Sequence, residues 1–292
     1  MKDIDNGLSK DMDKELSRGT DSRLSKSIDN RLSAEDISSA LSGAGITDCT
    51  IQVYDTVGST QDIGKEFARS QWSDPEGTSP LALITADSQT KGRGRYGKHF
   101  YSPSDTGIYM SLVIKVGKPV ENFLSITTAT AVAVCHVIER HSHMKPEIKW
   151  VNDVWFGGRK ACGILTEAVT DSKSGILGSV IIGIGMNLTT ESFPDELRDI
   201  AFSIDDMDIG RSRLIAEIAS EVFKASEDPD SDELFEEYKS RSLILGKEVW
   251  WMERDQRRTG LAVDINRAGN LIVKTEAGLV TLNSGDVSIR PV

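Results

Sequence analysis

Between residues 91 and 98 the chain reads Lys91-Gly92-Arg93-Gly94-Arg95-Tyr96-Gly97-Lys98, cationic side chains alternating with glycine. Glycine permits positive φ and lets a backbone come close to a ligand. Arginine presents a planar fork of donors matched to carboxylate and phosphate. The chemistry this suits is the wrapping of an anion, although a solvated basic hairpin tip has the same composition. Gly92, Gly94 and Gly97 satisfy G-x-G-x-x-G, a fingerprint that belongs to a strand-to-helix turn inside a βαβ unit. Here Pro103, Asp105 and Gly107 come next, then an apolar run from Ile108. That is a loop followed by a strand, so the dinucleotide reading fails. No G-K-[ST] follows, which excludes a Walker-type phosphate loop.

Other segments carry polar groups suited to a site. Gly58-Ser59-Thr60-Gln61 opens a helical pattern; Ser59 or Thr60 caps that helix, and a capped helix N-terminus is also an anion site. Lys149-Trp150-Val151-Asn152-Asp153 follows a short strand, and Gly158-Arg159-Lys160-Ala161-Cys162-Gly163-Ile164-Leu165-Thr166-Glu167 follows a turn. Gly183-Ile184-Gly185-Met186-Asn187-Leu188 ends a buried strand. Singly, each has a plain structural reading. Lys149 and Asp153 make a surface pair, Lys160 a hairpin charge, and Gly183 with Gly185 a bulge. Their joint occurrence in this order is far more specific.

The elements that must position these residues are legible from periodicity. Ser33 is a helix N-cap with Asp36 three residues on, and the helix stops at Gly43 or Gly45. Strands are expected at 50–55, 81–87, 108–116, 148–151, 154–156, 160–168 and 178–188. Helices are expected from 60 to about 70, over 122–140, and over 211–226 and 231–241. The 122–140 helix is apolar nearly all round, at Ala129, Ala131, Val132, Ala133, Val134, Val137 and Ile138, and must be sandwiched. Gly246 marks a boundary; beyond it, short runs at 248–252, 260–265, 271–275, 279–283 and 287–289 suggest a small barrel.

At the N-terminus D-x-x-L-S-[KR] recurs every eight residues, with leucine at Leu8, Leu16, Leu24 and Leu32, the fourth copy losing its basic residue to Ala34. Eight residues at 100° each drift about 80° per repeat around a helix, so the leucines form no fixed stripe. One leucine in eight builds no core, and a solvated, disordered tail over 1–33 is expected. The domain expectation is then this tail, a catalytic domain over 34–243 and a small β-domain over 244–292.

Composition narrows the partners. Lys and Arg total 34 against 45 Asp and Glu, a formal charge of −11, which disfavours non-specific nucleic-acid binding. No apolar run approaches the ~18–20 residues of a membrane span, and the charged N-terminus is unlike a signal peptide. The 3 cysteines, Cys49, Cys135 and Cys162, are far apart and read as reduced, in a cytoplasmic protein. His141 and His143 read as surface histidines rather than metal ligands, and no metal site is identified.

Taken together, the segments resemble the biotin protein ligases. That family shows G-R-G-R-x-G, K-W-P-N-D, G-R-K-x-x-G-I-L-x-E and G-I-G-x-N, and ends in an SH3-like barrel. The resemblance covers roughly residues 34–292. It implies an α/β mixed-sheet catalytic domain related to class II aminoacyl-tRNA synthetases, plus a small C-terminal SH3-like β-barrel. It implies biotin and ATP as substrates, with Mg²⁺ accompanying ATP, and biotinyl-5′-AMP as intermediate. The acceptor would be a lysine on the biotin carboxyl carrier domain of a carboxylase or decarboxylase. By position, Ser59, Thr60, Gln61 and Gln89 would line the biotin pocket. Arg93, Gly94 and Arg95 would order over biotin and the adenylate. Lys160, within the motif that holds Gly163, would lie between carboxylate and α-phosphate. Lys149, Asn152 and Asp153 would serve the nucleotide side, and Gly185 and Asn187 would sit beneath the adenylate. Val151 replaces the usual proline, Phe100 stands where tryptophan is common, and Gln61 where asparagine is frequent. Lipoate–protein ligase is the nearest alternative. A biotin-operon repressor needs an N-terminal winged helix of about sixty residues, whereas residues 1–47 hold seven basic and nine acidic side chains, mostly in the repeat. Specific DNA binding is therefore not expected. Oligomeric state stays open, a homodimer included.

Overall fold

A computed structural model describes residues 31–70, 80–116, 123–170, 177–254, 256–283 and 290–291. The elements are α1 (Ala34–Gly43), β1 (Cys49–Val57), α2 (Thr60–Ser70), β2 (Leu81–Gln89), β3 (Gly107–Lys115) and α3 (Phe123–His141). Then come β4 (Glu147–Lys149), β5 (Asp153–Phe156), β6 (Arg159–Thr170), β7 (Leu177–Asn187), α4 (Arg211–Ala225) and α5 (Asp232–Ser240). The C-terminal strands are β8 (Glu248–Glu253), β9 (Gln256–Ile265), β10 (Leu271–Thr275), β11 (Gly278–Leu282) and β12 (Arg290–Pro291).

The first seven strands form one mixed sheet in the order β1-β2-β3-β7-β6-β5-β4. Only β1 and β2 pair in parallel, with α2 as the connection between them; the remaining pairs are antiparallel. Because successive strand residues point to opposite faces, β7 has two characters. Val180, Ile182, Ile184 and Met186 join the large core with α1, α3 and α4. Ile181 joins a smaller cluster with Ala68 of α2 on the opposite side. Gly183 and Gly185 share the phase of Ile181, and that face carries the site.

The helices follow their local signals. Ser33 caps α1, accepting from the Asp36 amide at 3.2 Å, and Gly45 leaves the helix with φ 86°. Helix α3 buries Ala129, Ala131, Val132, Ala133, Val134, Val137 and Ile138 as its composition requires. Its buried Thr128 and Thr130 hydroxyls bond back to the carbonyls of Ser125 (3.0 Å) and Ile126 (2.7 Å), so neither hydroxyl is stranded in the core. His141 lies between Asp208 (2.9 Å) and Glu217 (2.7 Å). The first strand of the 148–156 region is shorter than expected: β4 ends at Lys149, and residues 150–152 form a turn.

The second sheet runs β11-β10-β9-β8-β12, antiparallel throughout, an SH3-like domain as expected. The expected strand at 287–289 lies outside the described residues. This domain is not a loose appendage, because Val249, Trp251, Ala262, Ile265, Leu271 and Val273 belong to the same core cluster as the helices. Trp150 Nε1 also donates to the Gly269 carbonyl at 2.9 Å, tying the small domain to the turn before β5.

Most of the octad repeat lies outside the described residues. Its last turn does not: Ser33 N donates to Ser212 Oγ (2.9 Å), Ser212 Oγ donates to the Arg31 carbonyl (3.1 Å), and Leu32 packs on the core. Residues 31–33 therefore belong with the folded unit. Deleting residues 2–30 is expected to leave catalytic turnover within about tenfold, or roughly 1.4 kcal/mol in barrier. A larger loss in a steady-state assay would give the repeat a role in catalysis.

Candidate active site

Above the Gly183–Gly185 face lies a cleft of about 320 Å³. Every site residue expected from sequence lines it: Ser59, Thr60, Gln61, Gln89, Arg93, Gly94, Arg95, Lys149, Asn152, Asp153, Lys160, Gly163, Gly185 and Asn187.

One end is neutral and polar. Ser59 both caps α2, accepting from the Gln61 amide at 3.3 Å, and lines the cleft, so the two readings of this residue coexist. Gln89 Oε1 accepts from Thr60 N at 2.9 Å, and Gln89 Nε2 donates to Ser102 Oγ at 3.0 Å. Gln61 lines the cleft but commits its carboxamide to the main chain, donating to the carbonyls of Leu165 and Ile181, each at 3.3 Å.

The other end is cationic. Arg95, Lys98, Lys149 and Lys160 line the cleft against, among the described residues, a single lining carboxylate, Asp153, in a chain of net charge −11. A tight β5–β6 turn with positive φ at both Gly157 and Gly158 sends β6 back along β5. Lys160 Nζ then lies 2.7 Å from Asp153 Oδ1, poorly angled for a directed hydrogen bond, so the contact is ionic. Gly163 makes room for that side chain: a Cβ there would fall 2.7 Å from Lys160 Nζ. Lys149 turns instead onto the Trp155 ring, 4.3 Å from its centroid. Asp153 thus pairs with Lys160 rather than with its cross-strand neighbour Lys149. Asn152 donates to the Ile164 carbonyl at 2.7 Å, and Asn187 Nδ2 to the Phe202 carbonyl at 3.3 Å.

The basic loop folds as a small hairpin over the cleft. Arg93 and His99 form a β-bridge, Gly94 N donates to the Lys98 carbonyl at 2.7 Å, and Tyr96 and Gly97 take positive φ. Its base is fixed to the turn before α2 by Lys91 N donating to the Gly58 carbonyl at 2.8 Å. Two glycines are required by close approach. A Cβ on Gly92 would meet the Phe100 carbonyl at 2.4 Å, and one on Gly185 the Phe100 ring at 2.7 Å. Arg95 reaches across the mouth, Nη1 donating to Asn152 Oδ1 at 3.0 Å. Arg93 turns outward to Asp62 and to Glu167 (3.5 Å), neither of which lines the cleft.

Sequence reasoning missed several lining groups. Ser111 lies fully buried in β3, where a hydroxyl inside an otherwise apolar run was the available signal. Residues Phe193, Leu197, Ile200 and Ala201 close one wall from an irregular stretch with no periodicity to read. That stretch brackets Lys160, whose amide donates to the Ile200 carbonyl and whose carbonyl accepts from Phe202, both at 2.8 Å. Cys162 lies two residues from Lys160, but burial pushes its thiol far up, and Cys135 is pushed up to about 12. Neither is a nucleophile at neutral pH.

The description of the biotin/lipoate A/B protein ligase family matches residues 56–187, and that of the biotin protein ligase C-terminal domain matches residues 244–290. The bifunctional ligase/repressor BirA of Bacillus spizizenii is 34% identical over 246 residues, 80% of this chain and 72% of that protein. The biotin–[acetyl-CoA-carboxylase] ligase of Mycobacterium tuberculosis is 28% identical over 215 residues, 70% of this chain and 77% of its own. The structure of biotin protein ligase from Aquifex aeolicus in complex with biotin and ATP is similar with a TM-score of 0.67 at 28% identity, covering 83% of this chain and 99% of that one. Likeness that runs through both the cleft-bearing sheet and the small terminal sheet shows that this chain belongs to the biotin protein ligase family.

Proposed function

We propose that this protein joins biotin to ATP, forming biotinyl-5′-AMP and pyrophosphate, and then transfers the biotinyl group to a lysine of a biotin carboxyl carrier domain. The observation that carries this reading is the two-ended cleft. Neutral donors and acceptors at Ser59, Thr60 and Gln89 complement an uncharged cyclic urea, while the cations at the far end complement carboxylate and phosphate.

In the first step the biotin carboxylate attacks the α-phosphorus and pyrophosphate leaves. Lys160 offsets the repulsion between the two approaching anions, and Asp153 holds its ammonium in place until they arrive. Lys149, Asn152 and Asp153 serve the nucleotide, with Gly185 and Asn187 beneath the adenylate. Mg²⁺ enters as part of the ATP substrate; among the described residues no cluster of His, Cys, Asp or Glu forms a metal centre. In the second step a neutral lysine amine attacks the acyl carbon and AMP leaves with the bonding pair.

Lipoate is disfavoured because its dithiolane ring offers no N–H or carbonyl to the neutral end, leaving buried polar groups unpaired. A site built to hydrogen-bond discriminates strongly on that ground. Pyrophosphate exchange with biotin and lipoate in competition tests this; preferential activation of lipoate would overturn it. We hold operator binding to be absent, on the charge of the chain, and a gel-shift at low salt checks this. Among the described residues no helix is long and apolar enough to cross a membrane, and the cysteines are free; the proposed location is the cytoplasm.

The basic loop is expected to open and close with ligand. Its outer tie, Arg93 to Asp62, is exposed on both sides and is worth little in water. Trypsin should cut after Arg93 or Arg95 in the free protein, and biotin with ATP should protect. Equal cleavage in both states would argue for a fixed loop.

A further inference from the structure

The hydroxyls beneath the neutral end of the cleft form a chain with a direction, and Gln61 sets it. Its Nε2 spends both protons on the carbonyls of Leu165 and Ile181, which fixes the carboxamide and leaves Oε1 as an acceptor. Ser111 Oγ donates to that oxygen at 3.0 Å. A hydroxyl has one proton, so in the 2.9 Å contact between Ser111 Oγ and Thr60 Oγ1 the donor is Thr60. The rival acceptor for the Thr60 proton, Gln89 Oε1, is farther at 3.3 Å and already accepts from Thr60 N, so the proton goes to Ser111. Thr60 thereby turns its proton inward and only lone pairs outward.

Burial keeps this arrangement from being reset by water. Gln61 and Thr60 are each 3% exposed and Ser111 is 0% exposed. The carboxamide also has a seat made for it, since a Cβ on Gly183 would fall 2.5 Å from Gln61 Oε1. Gln89 is fixed in the opposite sense. With Oε1 taken by Thr60 N and one amide proton given to Ser102, its remaining proton is a donor, as is the hydroxyl proton of Ser59. The neutral end therefore offers an acceptor at Thr60 beside donors at Ser59 and Gln89.

We propose that Gln61 and Ser111 are positioning residues that make Thr60 an obligate acceptor for a ring N–H, with Ser59 and Gln89 donating to the adjacent ring carbonyl. Ligand recognition at this end then depends on the polarity of a hydroxyl chain whose source is two main-chain carbonyls. The inference rests on the biotin reading above and goes beyond it by assigning Gln61 and Ser111 a role without ligand contact.

The test is a double-mutant cycle in the full chain, read by pyrophosphate exchange, with thermal unfolding confirming that each variant folds. Ser111→Ala and Gln61→Met each remove the source of polarity, and each is expected to raise the KM for biotin about tenfold or more, the scale of an unmade buried hydrogen bond. The KM for ATP and the turnover at saturating biotin should stay within about twofold, because the affected end is remote from the reacting carboxylate. In a Thr60→Val background, which deletes the acceptor itself, neither substitution should add to the biotin KM. Additive effects in that background, or a parallel rise in the KM for ATP, would show a merely structural role and overturn the proposal. A wild-type chain that activates no biotin would overturn the functional reading and this inference together, before any variant is measured.

Discussion

Lys160→Ala is expected to slow adenylate formation by roughly 10²–10³, the scale of removing one preorganised electrostatic stabiliser. The biotin carboxylate must approach an α-phosphate that is itself anionic, and two unit charges ~4 Å apart repel by about 4 kcal/mol at an effective dielectric near 20. The Lys160 ammonium counters that repulsion and meets the charge that builds on the phosphate in the transition state. The substitution also strips Asp153 of its 2.7 Å partner, adding an uncompensated carboxylate to the lining of the cleft. Mg²⁺ brought by ATP offsets part of the loss, so the collapse is partial. Transfer from added synthetic biotinyl-adenylate should fall less, because the carboxylate–phosphate repulsion is gone once the anhydride has formed. Pyrophosphate exchange reads the first step alone and synthetic adenylate the second. Equal losses in both, or none in the first, would reduce Lys160 to a charge on the turn after Gly158.

Arg95→Ala should release the intermediate. Arg95 is the side chain that spans the mouth of the cleft, donating from the loop to Asn152 on the far side at 3.0 Å. Its guanidinium also complements the phosphodiester that the adenylate adds near the loop. A hydrogen bond to a charged group contributes about 1.5–3 kcal/mol, so escape of biotinyl-adenylate should speed up by roughly 10–100-fold, at 1.4 kcal/mol per decade. Free biotin, which lacks the phosphodiester, should dock with a smaller penalty. The readout is labelling of bystander lysines on an unrelated protein in the same tube. A variant that keeps adenylation activity and still labels only its carrier domain would remove Arg95 from this role.

The sequence by itself determined the segments that build the cleft and most of the frame. Residue type and spacing marked the segments that hold Ser59, Arg93, Arg95, Asn152, Asp153 and Lys160, because anion binding suits those groups on loops and strand ends; Gln89 came only from the resemblance to the biotin protein ligases. Alternation and capping marked the elements, because Ser33, Gly45 and the all-round apolar α3 act through neighbours a few residues away. Tertiary structure alone decided the partners across the sheet. Asp153 meets Lys160 and not Lys149; Arg93 turns outward to Asp62 and Glu167; Gln61 spends its amide on Leu165 and Ile181; and residues 193–201 close a wall with no periodicity to announce it. The physical reason is that strand periodicity says which face a side chain takes but not what lies over that face. What lies over Gly183 and Gly185 arrives from α2 and from the basic loop, about a hundred residues away in the chain. The seats left by those missing Cβ atoms have meaning only once Gln61 and Phe100 are in them.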